Sequence, residues 1–256
     1  MRLQTFTVYG VEERAGFPRP KLSFKCAWLP DMGFVPGSLA QALPQKNGID
    51  FVLCDDLRGW HYSELVREAK EKGGRLVHAR HGMDRGKPFP ELTVTGSYLL
   101  NGGLSIGDRI VVQYGPGIIR ARKFPGTGKL IPMGAVKDKL TGAHIPKVRL
   151  CGHWMNDLGF ETGTLATAAA VPGSITFTLH GSTERYADAV RHCRKNKLKL
   201  VHIRPETNHT LPPLPCIGVT GSIVDKAGFG LGDMLTADCA PGLIKLQKLD
   251  LEKLGF

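Results

Sequence analysis

Long apolar runs are missing from this chain of 256 residues. No stretch approaches the roughly 18 consecutive apolar residues that read as a membrane-crossing helix, so no membrane partner is expected. The first segment, MRLQTFTVYGVEER, has neither the apolar centre nor the small-residue cleavage pattern of a secretion signal. A cytoplasmic location with reduced cysteines is therefore the expectation. Those six cysteines, Cys26, Cys54, Cys151, Cys193, Cys216 and Cys239, never fall in a CxxC spacing. The histidines scatter as well, and neither His78–His81 nor His192–Cys193 belongs to a two-pair ligand set. Neither a metal nor a cofactor is expected.

Catalytic patterns are equally scarce. GPGIIR and APGLIK carry glycines but not the Walker spacing. Ser97 and Ser222 both sit in TGS, yet no His–Asp pattern around them completes a nucleophilic set. Asp108 and Asp233 each follow a turn glycine, where a carboxylate accepts local backbone N–H groups. Binding is expected ahead of catalysis.

What the chain does have is glycine, proline and positive charge. Hydrophobic residues (42%) and charged residues (22%) stand close to globular averages, which argues against disorder. The 32 Gly and 17 Pro point to many short elements joined by tight turns. The net charge of +11 divides as +6 over residues 1–126 and +5 over 127–256, so no basic tail accounts for it. A folded body of positive potential attracts polyanions, nucleic acid first.

The strongest signal is internal repetition. KLSFKCAWLPDMGFVPGS from Lys21 is matched by KVRLCGHWMNDLGFETGT from Lys147, and ELTVTGSYLLNGGLSIGD from Glu91 by CIGVTGSIVDKAGFGLGD from Cys216. All four share an alternating strand, a corner, a bulky residue (Trp28, Tyr98, Trp154, Ile223), a short apolar turn, then Gly with an apolar residue and a second Gly. In KVRLCG, Val148 and Leu150 point one way and Arg149 the other, as in a half-buried strand. Gly159 is expected to end the following helical turn in a left-handed cap. One such unit has too few strands to bury a core, so the units must pair.

Two amphipathic helices are predicted, at 61–72 and 184–196. Tyr62, Leu65, Val66 and Ala69 share one face of the first; Tyr186, Ala189, Val190 and Cys193 share one face of the second. Each leads into a matched strand, RLVHAR (75–80) and KLVHIR (199–204). KFPGTGKLIPMG carries no helix and sets a block boundary near residue 126, giving domains 1–126 and 127–256.

The pattern carried by Gly152, Trp154, Met155, Gly159, Phe160 and Gly163, and by Trp28, Leu29, Gly33, Phe34 and Gly37, resembles the SymE-like toxin family and, more broadly, the AbrB-type swapped-hairpin barrels. The lead-in of Arg2, Leu3, Phe6 and Val8, then Pro20, is similar too. The resemblance implies a mainly β (α+β) fold with short helices: a tandem duplication of two swapped-hairpin β-barrels, each formed by two repeat units in cis with one inserted helix. It further implies a regulatory or toxin–antitoxin-related protein that binds nucleic acid, DNA first. The alternatives are an RNA-cleaving toxin and a non-catalytic protein-interaction module. The chain departs from the family in fusing four units, in carrying Cys26-Ala27 where other copies have Gly, and in carrying Tyr98 and Ile223 for Trp.

Candidate contacts to nucleic acid follow from positive charge kept at or near matched positions. They are Lys21 and Lys147, Arg75 and Lys199, Arg120 and Lys245, Lys123 and Lys248, with Arg122 beside Lys123. His78 and Arg80, and likewise His202 and Arg204, alternate onto one strand face with Leu76 and Leu200. The second helix adds Arg191 and Arg194. Phosphate recognition needs such groups on one face; solvated strand and helix faces are the competing explanation. The four bulky positions are expected in the core rather than as base-stacking platforms, since Ile223 cannot stack a base.

Overall fold

A computed structural model describes residues 2–12, 18–54, 62–84, 87–180, 186–206 and 213–256. The chain divides into two compact units, residues 1–125 with 250–256 and residues 126–249. The break falls within the Pro/Gly stretch KFPGTGKLIPMG. The last residues are the exception, for 250–256 belong with the first unit rather than the second.

In the first unit the chain runs β1 (Arg2–Thr7), β2 (Tyr9–Val11), β3 (Arg19–Lys25), β4 (Leu39–Gln45), β5 (Gly48–Leu53), α1 (Tyr62–Glu71), β6 (Arg75–His78), β7 (Arg80–Asp84), β8 (Lys87–Thr95), α2 (Ser97–Asn101), β9 (Arg109–Gly115) and β10 (Ile118–Lys123). A six-stranded antiparallel sheet has the order β1-β9-β10-β5-β4-β6 and a four-stranded sheet the order β2-β3-β8-β7. The two copies interlock: β1 of the first pairs with β9 of the second, while β6 of the second pairs with β4 of the first.

The second unit has the same plan. It contains β11 (Lys129–Pro132), β12 (Gly134–Lys137), β13 (His144–Cys151), β14 (Leu165–Val171), β15 (Ser174–Leu179), α3 (Tyr186–Lys195), β16 (Lys199–His202), β17 (Arg204–Glu206), β18 (Leu214–Thr220), α4 (Ser222–Ala227), β19 (Met234–Ala240) and β20 (Leu243–Lys248). Its sheets are ordered β11-β19-β20-β15-β14-β16 and β12-β13-β18-β17. Among the described residues all four sheets are open at both ends, so a six-stranded and a four-stranded sheet stand in each unit where one closed barrel was expected.

Each copy begins with a run that bends at one buried apolar residue and passes from the six-stranded to the four-stranded sheet. Val8, Ala79, Met133 and Ile203 are those residues. Alternation on either side then turns one face inward. In β3, Leu22 and Phe24 are fully buried, as are Val148 and Leu150 in β13. Each unit closes over its own core, with Phe24, Phe34 and Phe51 in the first and Met155, Phe160 and Phe177 in the second. Each such side chain contributes about 1.5–3 kcal/mol by leaving water.

The corner before each hairpin follows the sequence reading. His153–Leu158 forms a 3-10 turn that ends at Gly159 with φ 83°, and the Gly159 N–H donates to the Asn156 and Met155 carbonyls. A β-carbon is strained in that conformation, which accounts for the glycine. Trp28, Tyr98 and Trp154 pack against the cores, and Ile223 is buried within one. Trp28 also stacks on Tyr114 with ring centroids 3.8 Å apart and donates from Nε1 to Gln4 Oε1 at 2.7 Å.

Helices α1 and α3 form where periodicity put them. Leu65 and Ala69, and Ala189 and Cys193, are their buried residues. Tyr62 and Tyr186, grouped by spacing with those faces, instead lie exposed over His78 and His202 at 6.3 and 5.7 Å. None of the helices among the described residues is long and apolar enough to cross a membrane.

Candidate functional site

The outward face of the second unit's four-stranded sheet gathers the largest group of candidate residues. β13 and β18 pair so that Lys147 faces Thr220, Arg149 faces Gly218 and Cys151 faces Cys216. The Gly152 N–H donates to the Pro215 carbonyl at 3.2 Å. That bond makes these outward pairs the close, non-hydrogen-bonded kind, with Cα atoms about 4.5 Å apart. Lys199, His202 and Arg204 enter from the bent β16–β17 run, in which Val201 and Ile203 point inward.

A groove of about 560 Å³ results, lined by Lys147, Arg149, Lys199, His202 and Arg204 with Leu200, Cys216, Gly218 and Thr220. Glu206 is the one acidic group among its lining residues. Arg149 Nη2 lies 2.6 Å from Glu206 Oε1. Hydrogen bonds to the Cys216 sulfur and to Glu206 hold the Arg149 guanidinium firmly protonated. Lys199 Nζ donates to the Thr220 carbonyl at 3.2 Å, which draws its ammonium across the sheet.

Gly218 opens the groove. Its outward position carries no side chain, and a β-carbon there would come within 3.3 Å of Lys147 Cε. The first unit shows the alternative at the matched positions. There Ser23 Oγ donates to Glu91 Oε1 at 2.6 Å, Thr93 Oγ1 donates to the same oxygen at 3.0 Å, and Lys25 Nζ lies 3.7 Å from Oε2. Burial opposes the Glu91 charge, but these hydrogen bonds with Lys25 and Lys21 outweigh it and hold the carboxyl below its ordinary value. Lys21 and exposed Arg80 flank a face that is internally neutralised.

The remaining candidates separate into committed and open groups. Arg122 is buried: Nη1 lies 2.5 Å from Asp50 Oδ1, Nε donates to the Gly255 carbonyl at 3.1 Å, and the Phe256 ring covers the guanidinium. It is a structural cation, not a surface one. Lys123 and Lys248 each reach a turn carboxylate, Asp108 and Asp233, at 2.9 Å. Those carboxylates accept from Ser105 N and Gly230 N at 2.7 and 2.8 Å, as turn chemistry requires. Arg120 donates to Gln113 Oε1 at 3.5 Å, and Arg75 lies over the Tyr98 ring. Arg191 pairs with Asp188 one turn away on α3, whereas Arg194, Lys245 and His78 are exposed.

One cluster escaped the sequence reading. Cys151, Cys216 and Glu206 bring a sulfur, a sulfur and a carboxylate oxygen within 4.8 Å of one another at the end of the groove. The cysteines sit on separate strands, so no local spacing betrays them. The usable signal was the repeat itself, which pairs β13 with β18 in antiparallel register. The Cys151 thiol is pushed up to about 11, first by burial and then by neighbouring Cys216.

Comparison of the chain with protein-family models, curated proteins and solved structures finds no match.

Proposed function

We propose that this chain is a nucleic-acid-binding protein of SymE/AbrB-like type, each unit being two swapped hairpin copies fused in cis, and that the outward groove of the second unit is a contact surface for the phosphate backbone. The convergence of Lys147, Arg149, Lys199, His202 and Arg204 on one groove with a single carboxylate carries this reading. Phosphate binding requires this arrangement of several cations on a shared face with little internal neutralisation. The exchange of β1 and β6 between copies supports the swapped-hairpin part of the proposal.

Exposed Tyr186, close to His202, adds an aromatic surface beside the cations. Aromatics placed so stack unpaired bases. Mobility shifts with labelled double-stranded DNA, single-stranded DNA and RNA test the proposal. Retarded complexes that weaken with the triple change Lys147→Ala, Lys199→Ala, Arg204→Ala support it. Absence of any complex at low salt overturns it, and intrinsic shortening of the RNA that the triple change abolishes favours the ribonuclease alternative.

A further inference from the structure

Cys151 and Cys216 are set up for covalent chemistry that the nucleic-acid reading does not use. They face each other at a non-hydrogen-bonded cross-strand position, the closer of the two antiparallel pair types. A Cα separation of about 4.5 Å for such pairs lies inside the range of about 4.4–6.8 Å that a disulfide spans. Both residues are free thiols, and their sulfur atoms lie within 4.8 Å of each other. Cys216 also lines the groove with 9% of its surface exposed, and Cys151 beside it is half-buried.

The fold itself does not require cysteine here. At the matched positions of the first unit, Lys25 and Glu91 occupy the same cross-strand pair as an ion pair. The second unit has therefore replaced a charge pair with a dithiol while keeping the strand pairing.

We infer that Cys151 and Cys216 form a reversible dithiol–disulfide site that a peroxide closes. The Cys216 sulfur, as the thiolate, attacks one peroxide oxygen, breaking the O–O bond and leaving a sulfenic acid; the departing hydroxide takes a proton and leaves as water. The Cys151 sulfur then attacks the sulfenyl sulfur, the S–S bond forms, and the hydroxyl leaves with the Cys151 proton as a second water. Two thiols lose two electrons in total and hydrogen peroxide gains them. Arg149, which lines the same groove as Cys216, supplies the positive partner for the anion that makes the first attack. The Arg149 guanidinium, 2.6 Å from Glu206, also disfavours a metal cation at the same place, since it would have to give up that carboxylate.

The test treats the reduced full chain with a few equivalents of hydrogen peroxide, blocks remaining thiols with N-ethylmaleimide and maps the peptides by mass spectrometry. The expected result is a linked peptide containing Cys151 and Cys216, forming at least tenfold faster than modification of exposed Cys239 and reversed by dithiothreitol. The double change Cys151→Lys, Cys216→Glu, which copies the first unit's pair, should keep the circular dichroism spectrum and abolish the linkage. Oxidation confined to other cysteines overturns the inference. So does stoichiometric Zn2+ binding by calorimetry that blocks the linkage and disappears in Glu206→Gln, an outcome that would assign a metal site instead.

Discussion

Arg149 faces Gly218 across β13 and β18, and its guanidinium lies 2.6 Å from Glu206 beyond an outward position that carries no side chain. The matched pair in the first unit is Ser23 and Thr93, whose hydroxyls lie 2.8 Å apart. Within one fold, the same central pair either opens a cationic groove or closes a hydrogen-bonded surface.

Gly218→Thr should therefore convert the second face toward the first. The new β-carbon meets only the end of the Lys147 side chain, Cε at 3.3 Å and Nζ at 3.9 Å, which is flexible, so the strain is small. A threonine also favours the strand. Thermal unfolding should change by no more than about 0.5 kcal/mol, the usual range for a tolerated surface change, while nucleic-acid affinity falls several-fold. Anisotropy titration beside calorimetry separates the two effects.

The ion pair of Arg122 with Asp50 predicts the opposite balance. Both side chains are nearly excluded from solvent, at 8% and 16% exposure. Arg122→Ala leaves Asp50 without its partner and should cost about 3–5 kcal/mol, the range for breaking a buried pair. Nucleic-acid affinity measured on the folded fraction should be unchanged. Urea denaturation gives the first number, and binding below the transition gives the second.

Acid should weaken the first unit through Glu91. Its carboxyl titrates lower when folded than when unfolded. The stabilisation is thus fully present above the unfolded value, near pH 4.3, and is lost as pH falls through the folded one. In urea titrations from about pH 6 down to pH 3, the wild-type curve should descend more steeply than that of Glu91→Gln. Parallel curves would show that the Ser23–Thr93–Lys25 surround contributes nothing.

Asp233→Ala removes the acceptor for the Gly230 N–H and the partner of Lys248. A loss of about 1–2 kcal/mol is expected, set mainly by the freed backbone donor. Lys248→Ala alone should cost under about 1 kcal/mol, as for an exposed ion pair. Thermal denaturation of the two variants distinguishes turn chemistry from charge pairing.

The strands, the corner at Gly159 and the buried residues of α1 and α3 were legible because each depends on local periodicity or backbone conformation. Inward Val148 and Leu150 against outward Arg149 could be read straight from alternation. The exchange of β1 and β6 between copies could not be read from periodicity, since it depends on which copy closes which core; only the family resemblance implied it. Arg122 illustrates a second limit. Alternation sets it beside Arg120 on an outward face, and only residues 250–256, more than a hundred positions later, return to cover it. Cys151 and Cys216 illustrate a third, because strand pairing rather than spacing unites them. The groove was half legible: Lys147, Lys199, His202 and Arg204 were among the candidate contacts, but Arg149 and the missing side chain at Gly218 were not.

The most direct test is the salt dependence of nucleic-acid binding by the full chain. Electrostatic capture predicts that log K falls linearly with log salt concentration, and that Lys199→Ala makes the slope shallower by about 1 for the phosphate contact removed. A salt-independent affinity, or a slope that Lys199→Ala leaves untouched while affinity is retained, would contradict the assignment of this groove to the phosphate backbone.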